Sequence, residues 1–206
     1  MYFAMKKRII SHLCRLSIAA FGALTLSNCA IGESKIALAH SPVAATSPQR
    51  SGTVVVRTFT DSRKDIDRIL LGNKRNGFGM VLGSYAIKGN KSVARTVTGH
   101  FADALTAAGY QVVVSDSASG GAVLTGDIHE LWLDLYAATW ANVGVNLQLK
   151  NGGRTVWSKN IEAKETNVLW VGVPSEIEKV LRQAMDKALA QAAQEFASDS
   201  FASKVR

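Results

Sequence analysis

Cysteine is almost absent from this 206-residue chain: Cys14 and Cys29 are the only two, and both fall at its N-terminal end. A disulfide framework for the main body is thereby excluded. Proline is scarce, acidic residues are missing from the first 28 positions, and no internal repeat is visible. Nor is any apolar run long enough to cross a bilayer as a helix. The uncharged run at residues 16–26 holds 11 residues, against the roughly 20 that a spanning helix needs.

What stands at the N-terminus is an address. Lys6, Lys7, Arg8 and Arg15 form a positive flank to the apolar run, the pattern of a secretory signal peptide over residues 1–28. The run closes on Leu26-Ser27-Asn28-Cys29, which resembles the lipobox of bacterial lipoproteins. Asn28 departs from that pattern, which favours Gly, Ala or Ser there. The resemblance implies a diacylglyceryl group on the Cys29 thiol and, after cleavage, an acyl chain such as palmitate on its amine. With about 0.8 kcal/mol from each buried methylene, such an anchor is effectively permanent. It also implies the outer membrane, because Ala30 occupies the position where Asp marks inner-membrane retention. Loss of Cys14 with the signal would leave Cys29 without a disulfide partner, in keeping with lipidation. A periplasmic destination excludes nucleic acid as a partner.

The mature chain from Cys29 would carry 20 basic and 16 acidic groups, a small positive balance. Residues 29–51 are small and polar, with Pro42 and Pro48, and read as a lipidated cysteine and flexible tether, with residues 35–39 as a short edge strand at most. A single periplasmic domain follows over residues 52–198, then a C-terminal tail at 199–206.

Within the domain, Val54, Val55, Val56 and Phe59 make a first strand. Residues 60–90 are charged and glycine-rich, a long loop or hairpin with a strand near 80–87. Val93, Val97, Phe101, Ala104, Leu105 and Ala108 recur at helical spacing, and Gly109 stands at the C-terminal cap. A strand at 110–115 completes a strand, crossover helix, strand unit, parallel if both strands share a sheet. Three long strands follow, at 122–135, 141–150 and 154–166. Parity shifts near His129 to Leu131 mark a bulge, and Asn151-Gly152-Gly153 a tight hairpin turn. The last helix is expected to open on a capping box, Ser175 with Glu178, and to run to Phe196 with Ile177, Leu181, Ala184, Ala188 and Ala192 on one stripe. The fold class is therefore α+β, a two-layer domain with a mostly antiparallel sheet and two helices packed on one face.

This order resembles the YajG-type lipoproteins. The residues that carry the likeness are Ala107-Ala108-Gly109-Tyr110, Gly126-Asp127-Ile128, Gly153-Arg154-Thr155-Val156-Trp157 and the alanine-rich closing helix. It is similar, more distantly, to auxiliary lipoproteins of envelope lipid-transport systems. The resemblance covers residues 35–197 and brings no catalytic residues.

No enzyme is expected, since no nucleophile, base and orienter converge in sequence. Asp127 and His129, with Asp134 further on, fall short of a metal's ligand set, and His100 with Asp103 is a surface helical pair. Neither a metal nor a cofactor is expected beyond the lipid on Cys29. Residues 57–95 hold nine lysines and arginines against three aspartates. Arg63, Lys64, Arg68, Lys74 and Arg75 are candidates there to meet anionic headgroups. If the long strands form a meander, Tyr136, Trp140, Leu169 and Trp170 share one end of the sheet as an aromatic, partner-binding rim. The expected function is an outer-membrane-anchored binding or accessory module for an envelope protein or lipid. A structural envelope protein without a selective partner, or a periplasmic hydrolase, is the alternative.

Overall fold

A computed structural model describes residues 31–206, apart from 47, 65, 90, 119–120 and 169–172. The expected signal peptide and Cys29 lie outside the described residues. The fold is α+β, an open, mixed, nine-stranded sheet with helices packed against it.

The sheet is built around its longest strand, β7 (Ala122–Tyr136). Leu124, Ile128, Leu131 and Leu133 of β7 are all essentially inaccessible. A strict alternation could not bury both Ile128 and Leu131. The register slips between Ile128 and Glu130, the bulge expected from the sequence, and returns the later leucines to the core face. One edge of β7 is fully paired, antiparallel, with β8 (Ala138–Asn151), which pairs in turn with β9 (Arg154–Asn167). Gly152 and Gly153 make the β8–β9 turn at φ 58° and 80°, a left-handed conformation in which a Cβ is costly.

The other edge of β7 is shared by three short strands that follow it in the same direction: β2 (Thr53–Val56), β3 (Thr60–Asp61) and β4 (Leu70–Arg75). Their partners on β7 begin at Ala122, Asp127 and Leu133 respectively. Residues 53–75 thus behave as one interrupted strand. β4 then turns back into β5 (Val81–Ile87), so that the glycine-rich stretch is an ordered hairpin. β6 (Gln111–Val114) lies parallel to β2, as expected of strands joined by a crossover helix. The longest pairings are antiparallel, and every pairing to β1, β2 and β3 is parallel.

Helix α1 (Val93–Ala107) buries Val93, Val97, Phe101, Ala104 and Leu105, and Ser92 caps it by accepting from the Arg95 amide. Helix α2 (Pro174–Phe196) lies over β8 and β9 and against α1, with the expected stripe of Ile177, Leu181, Ala184, Ala188 and Ala192 buried.

Four expectations are corrected. The capping box is not made: α2 starts at Pro174 after Val173, which makes no side-chain cap, and Glu178 instead accepts from the Ala37 amide at 2.9 Å. The 29–51 tether is, from Gly32 on, part of the domain. Gly32–Ile36 form strand β1, parallel to β5, with Ile36 fully buried and Leu38 7% exposed. The following residues strap the seam between the helices: Ser41 bonds Asp186 on α2, while Thr46 and Arg50 donate backbone N–H to the carbonyls of Ala107 and Ala108. The 199–206 tail is a third helix, α3 (Asp199–Val205), because Phe201 is buried among Tyr110, Trp157 and Phe196. Finally, the strands expected at 122–135 and 141–150 extend towards each other and leave no connection of several residues between them. β7 and β8 meet across Ala137 alone, held at φ 55°.

Candidate functional site

The expected rim is described in half. Tyr136, 37% exposed, ends β7 at the tip of the long hairpin. Trp140 is half-buried and stands on β8 opposite Asp134 of β7. Leu169 and Trp170 lie outside the described residues. Exposed Val168 follows β9, whose Asn167 pairs with Thr139 and so reaches the same end of the sheet.

The structure adds residues that sequence reasoning passed over. The tip of the β4–β5 hairpin presents Phe78 at 89% exposure, Met80 at 58% and Val81 at 52%. Its turn is rigidly made: Asn76 accepts from the amides of Phe78 and Met80 through its side chain, and its own amide donates to the Met80 carbonyl. Gly79, at φ 82°, passes so near Tyr136 that a Cβ there would touch the ring at 3.8 Å. Ile31, 65% exposed, precedes the β1 residue paired with Gly83, only a few residues along β5 from the tip. Ile31, Phe78, Met80, Val81, Tyr136 and Val168 therefore form one apolar end. The available signal was a Phe and a Met inside a polar, glycine-rich turn.

The five cations expected to meet anions separate into two groups. Arg63 is buried and faces inward. Its Nε and Nη2 donate to the two Asp61 carboxylate oxygens at 2.8 Å, and its Nη1 to the carbonyls of Leu70 and Leu131. It spans the stretch of β7 left uncovered between β3 and β4 and donates to one carbonyl on each side. Burial by itself would raise the Asp61 carboxyl, but the hydrogen bonds and charge of Arg63 hold it below its usual range. Lys74 is also buried, with Nζ bonded to Ser34 Oγ at 2.6 Å and to the Gly32 carbonyl, and lying over the Tyr85 ring. Burial, together with the Asp134 charge, pushes that phenol up to about 12. Arg75 pairs with Asp134 at 2.9 Å and donates to the Gly79 carbonyl. Lys64 and Arg68 remain exposed. Three of the five cations thus brace the sheet.

Asp127 and His129 gather no third ligand among the described residues: His129 meets Asn146 at 3.3 Å and Glu162 at 3.9 Å. His100 and Asp103 do acquire a companion, His40, which the strap brings from 63 residues away. Below the strap, Pro42, Val43, Leu189 and Ala193 line a shallow cleft of about 260 Å³.

No protein-family model matches the chain, and no curated protein does. Among solved structures, it is similar to a Xanthomonas campestris protein of the DUF330 family, at 12% identity and a TM-score of 0.59 over 78% of this chain and 92% of that one. It also aligns with a minor lipoprotein from Acinetobacter baumannii, at 12% identity and a TM-score of 0.41 over 73% of this chain and 93% of that one. Lipoprotein GNA1162 from Neisseria meningitidis aligns at 14% identity and a TM-score of 0.37 over 68% of this chain and 99% of that one. The first likeness is one of fold. The other two are too loose to carry an argument.

Proposed function

We propose that this chain is an outer-membrane lipoprotein, held at the periplasmic face through Cys29, that acts without catalysis as a binding or accessory module and seats its apolar end on membrane lipid. One observation carries the reading: exposed Ile31 leads into β1 at the apolar end of the sheet. Cys29 is two residues before Ile31, and two residues span at most about 7 Å. A lipid on Cys29 then enters the bilayer at the end of the sheet where β1 begins and the β4–β5 turn lies. An anchored surface held against a bilayer favours apolar side chains with an aromatic such as Tyr at the headgroup level. Covering one large apolar side chain contributes about 1.5–3 kcal/mol.

Two measurements test it. Wild-type protein, but not Cys29→Ser, is expected to incorporate labelled palmitate in cells; an unlabelled wild type would remove the anchor from the proposal. A photoreactive residue in place of Phe78 in the full-length protein is expected to yield lipid adducts. A single dominant protein adduct would instead assign this end to a protein partner.

A further inference from the structure

Away from the apolar end, three side chains of metal-ligating type meet on the strap and α1. His40 Nε2 stands 3.1 Å from Asp103 Oδ2. Its ring packs edge-on against His100, with centroids 4.3 Å apart. One ligand atom from each of the three residues lies within 4.8 Å of the others. Each imidazole also has one nitrogen already engaged on a backbone carbonyl. His40 Nδ1 donates to Ser41 at 2.6 Å, and His100 Nε2 donates to Leu38 at 3.3 Å. Metal-binding histidines are characteristically oriented this way, one N–H held by a carbonyl and the other nitrogen presented to the ion.

We propose that His40, His100 and Asp103 form a site for a divalent transition-metal ion, with zinc the best fit. Two imidazoles and a carboxylate are a zinc donor set that leaves the fourth tetrahedral position to water or another ligand. His40 binds through Nε2 and His100 through Nδ1, the nitrogens that the carbonyls leave over. Ligands about 2.1 Å from zinc stand about 3.4 Å apart, so side-chain rotation from the present spacing closes the site. The ion takes the place of the direct contact between His40 Nε2 and Asp103 Oδ2. The Leu38 carbonyl, which can only accept, holds the His100 hydrogen on Nε2 and leaves the Nδ1 lone pair for the ion. Lys91 adds an opposing positive charge. Because His40 belongs to the strap and the other two ligands to α1, the ion staples the strap to the helical layer.

The test uses full-length protein stripped with a chelator and titrated with zinc chloride in a calorimeter. One ion per chain is expected, and His40→Gln, His100→Gln and Asp103→Asn each weaken binding at least tenfold, whereas His129→Gln does not. Zinc is also expected to slow amide exchange over residues 37–46. Absence of stoichiometric binding, or equal affinity in wild type and Asp103→Asn, would overturn the site. The Asp103 side chain is 62% exposed, so that variant reports on ligation where loss of His100 disturbs packing. Cobalt gives a second readout on the wild type: tetrahedral visible absorption is expected, and an octahedral spectrum counts against the site.

Discussion

Arg63 shows how little the charge of a residue says about what it meets. In sequence it is one of nine cations in a basic stretch; in the fold its side chain is 2% exposed and paired with an Asp61 side chain at 3%. Removing one partner of a buried ion pair strands the other charge. Arg63→Met is therefore expected to lower stability by about 3–5 kcal/mol, and Asp61→Asn added to it should recover part of that loss, both read by urea unfolding. His100 makes a second point at this scale. Its folded value, about 4, lies below its ordinary 6.5, so the unfolded chain takes up a proton first as pH falls. Its contribution is complete above about pH 6.5 and is lost as pH drops towards 4. The groups facing it are His40 from the strap and Asp103 and Lys91 from α1 and its approach. In metal-free protein, His100→Gln is expected to flatten the thermal stability profile between those pH values.

At the scale of elements, the two ends of the chain matter more than their composition suggests. β1 adds an edge to the sheet, and the strap ties both large helices together through Glu178, Asp186 and the last carbonyls of α1. α3 closes the opposite end of the core, where Phe201 packs edge-on to Trp157 at 4.9 Å and tilted against Phe196 at 5.0 Å. Phe201→Ala is expected to cost about 3–5 kcal/mol, measured by chemical denaturation. A change within about 0.5 kcal/mol would mean that α3 contributes nothing to the core.

For the whole molecule, the sheet has a polarity. Ile31, the β4–β5 turn, Tyr136 and Val168 lie at one end, and β6, with exposed Val113 and Val114, lies across β2 from the start of β7. A membrane-seated molecule makes these positions unequal. With Cys29 acylated, Met80→Cys and Val113→Cys each supply a lone reactive thiol. A membrane-impermeant maleimide admitted to the periplasm is expected to label Val113→Cys fully and Met80→Cys several-fold less. Equal labelling would leave the apolar end facing water.

The sequence by itself determined the repetitive parts: the period of α1 and α2, the meander of β7, β8 and β9, the bulge near His129 and the Gly152-Gly153 turn. Each rests on neighbours in the chain, where periodicity and positive φ are local properties. The lipobox-like Cys29 is legible for the same reason. Only the tertiary structure decided what Arg63, Lys74, Phe201 and the strap do: Arg63 pairs with the nearby Asp61 but is buried against the Leu131 carbonyl, and the others meet partners elsewhere in the chain. Ile36 and Phe201 looked like parts of a tether and a tail until a core stood beside them. The two candidate sites divide in the same way. Tyr136 and Trp140 could be placed at one end of the sheet from strand direction alone, whereas Phe78 and Met80 joined them through the pairing of β4 with β7. His40 reached His100 and Asp103 through the hydrogen bonds that hold the strap on α1 and α2.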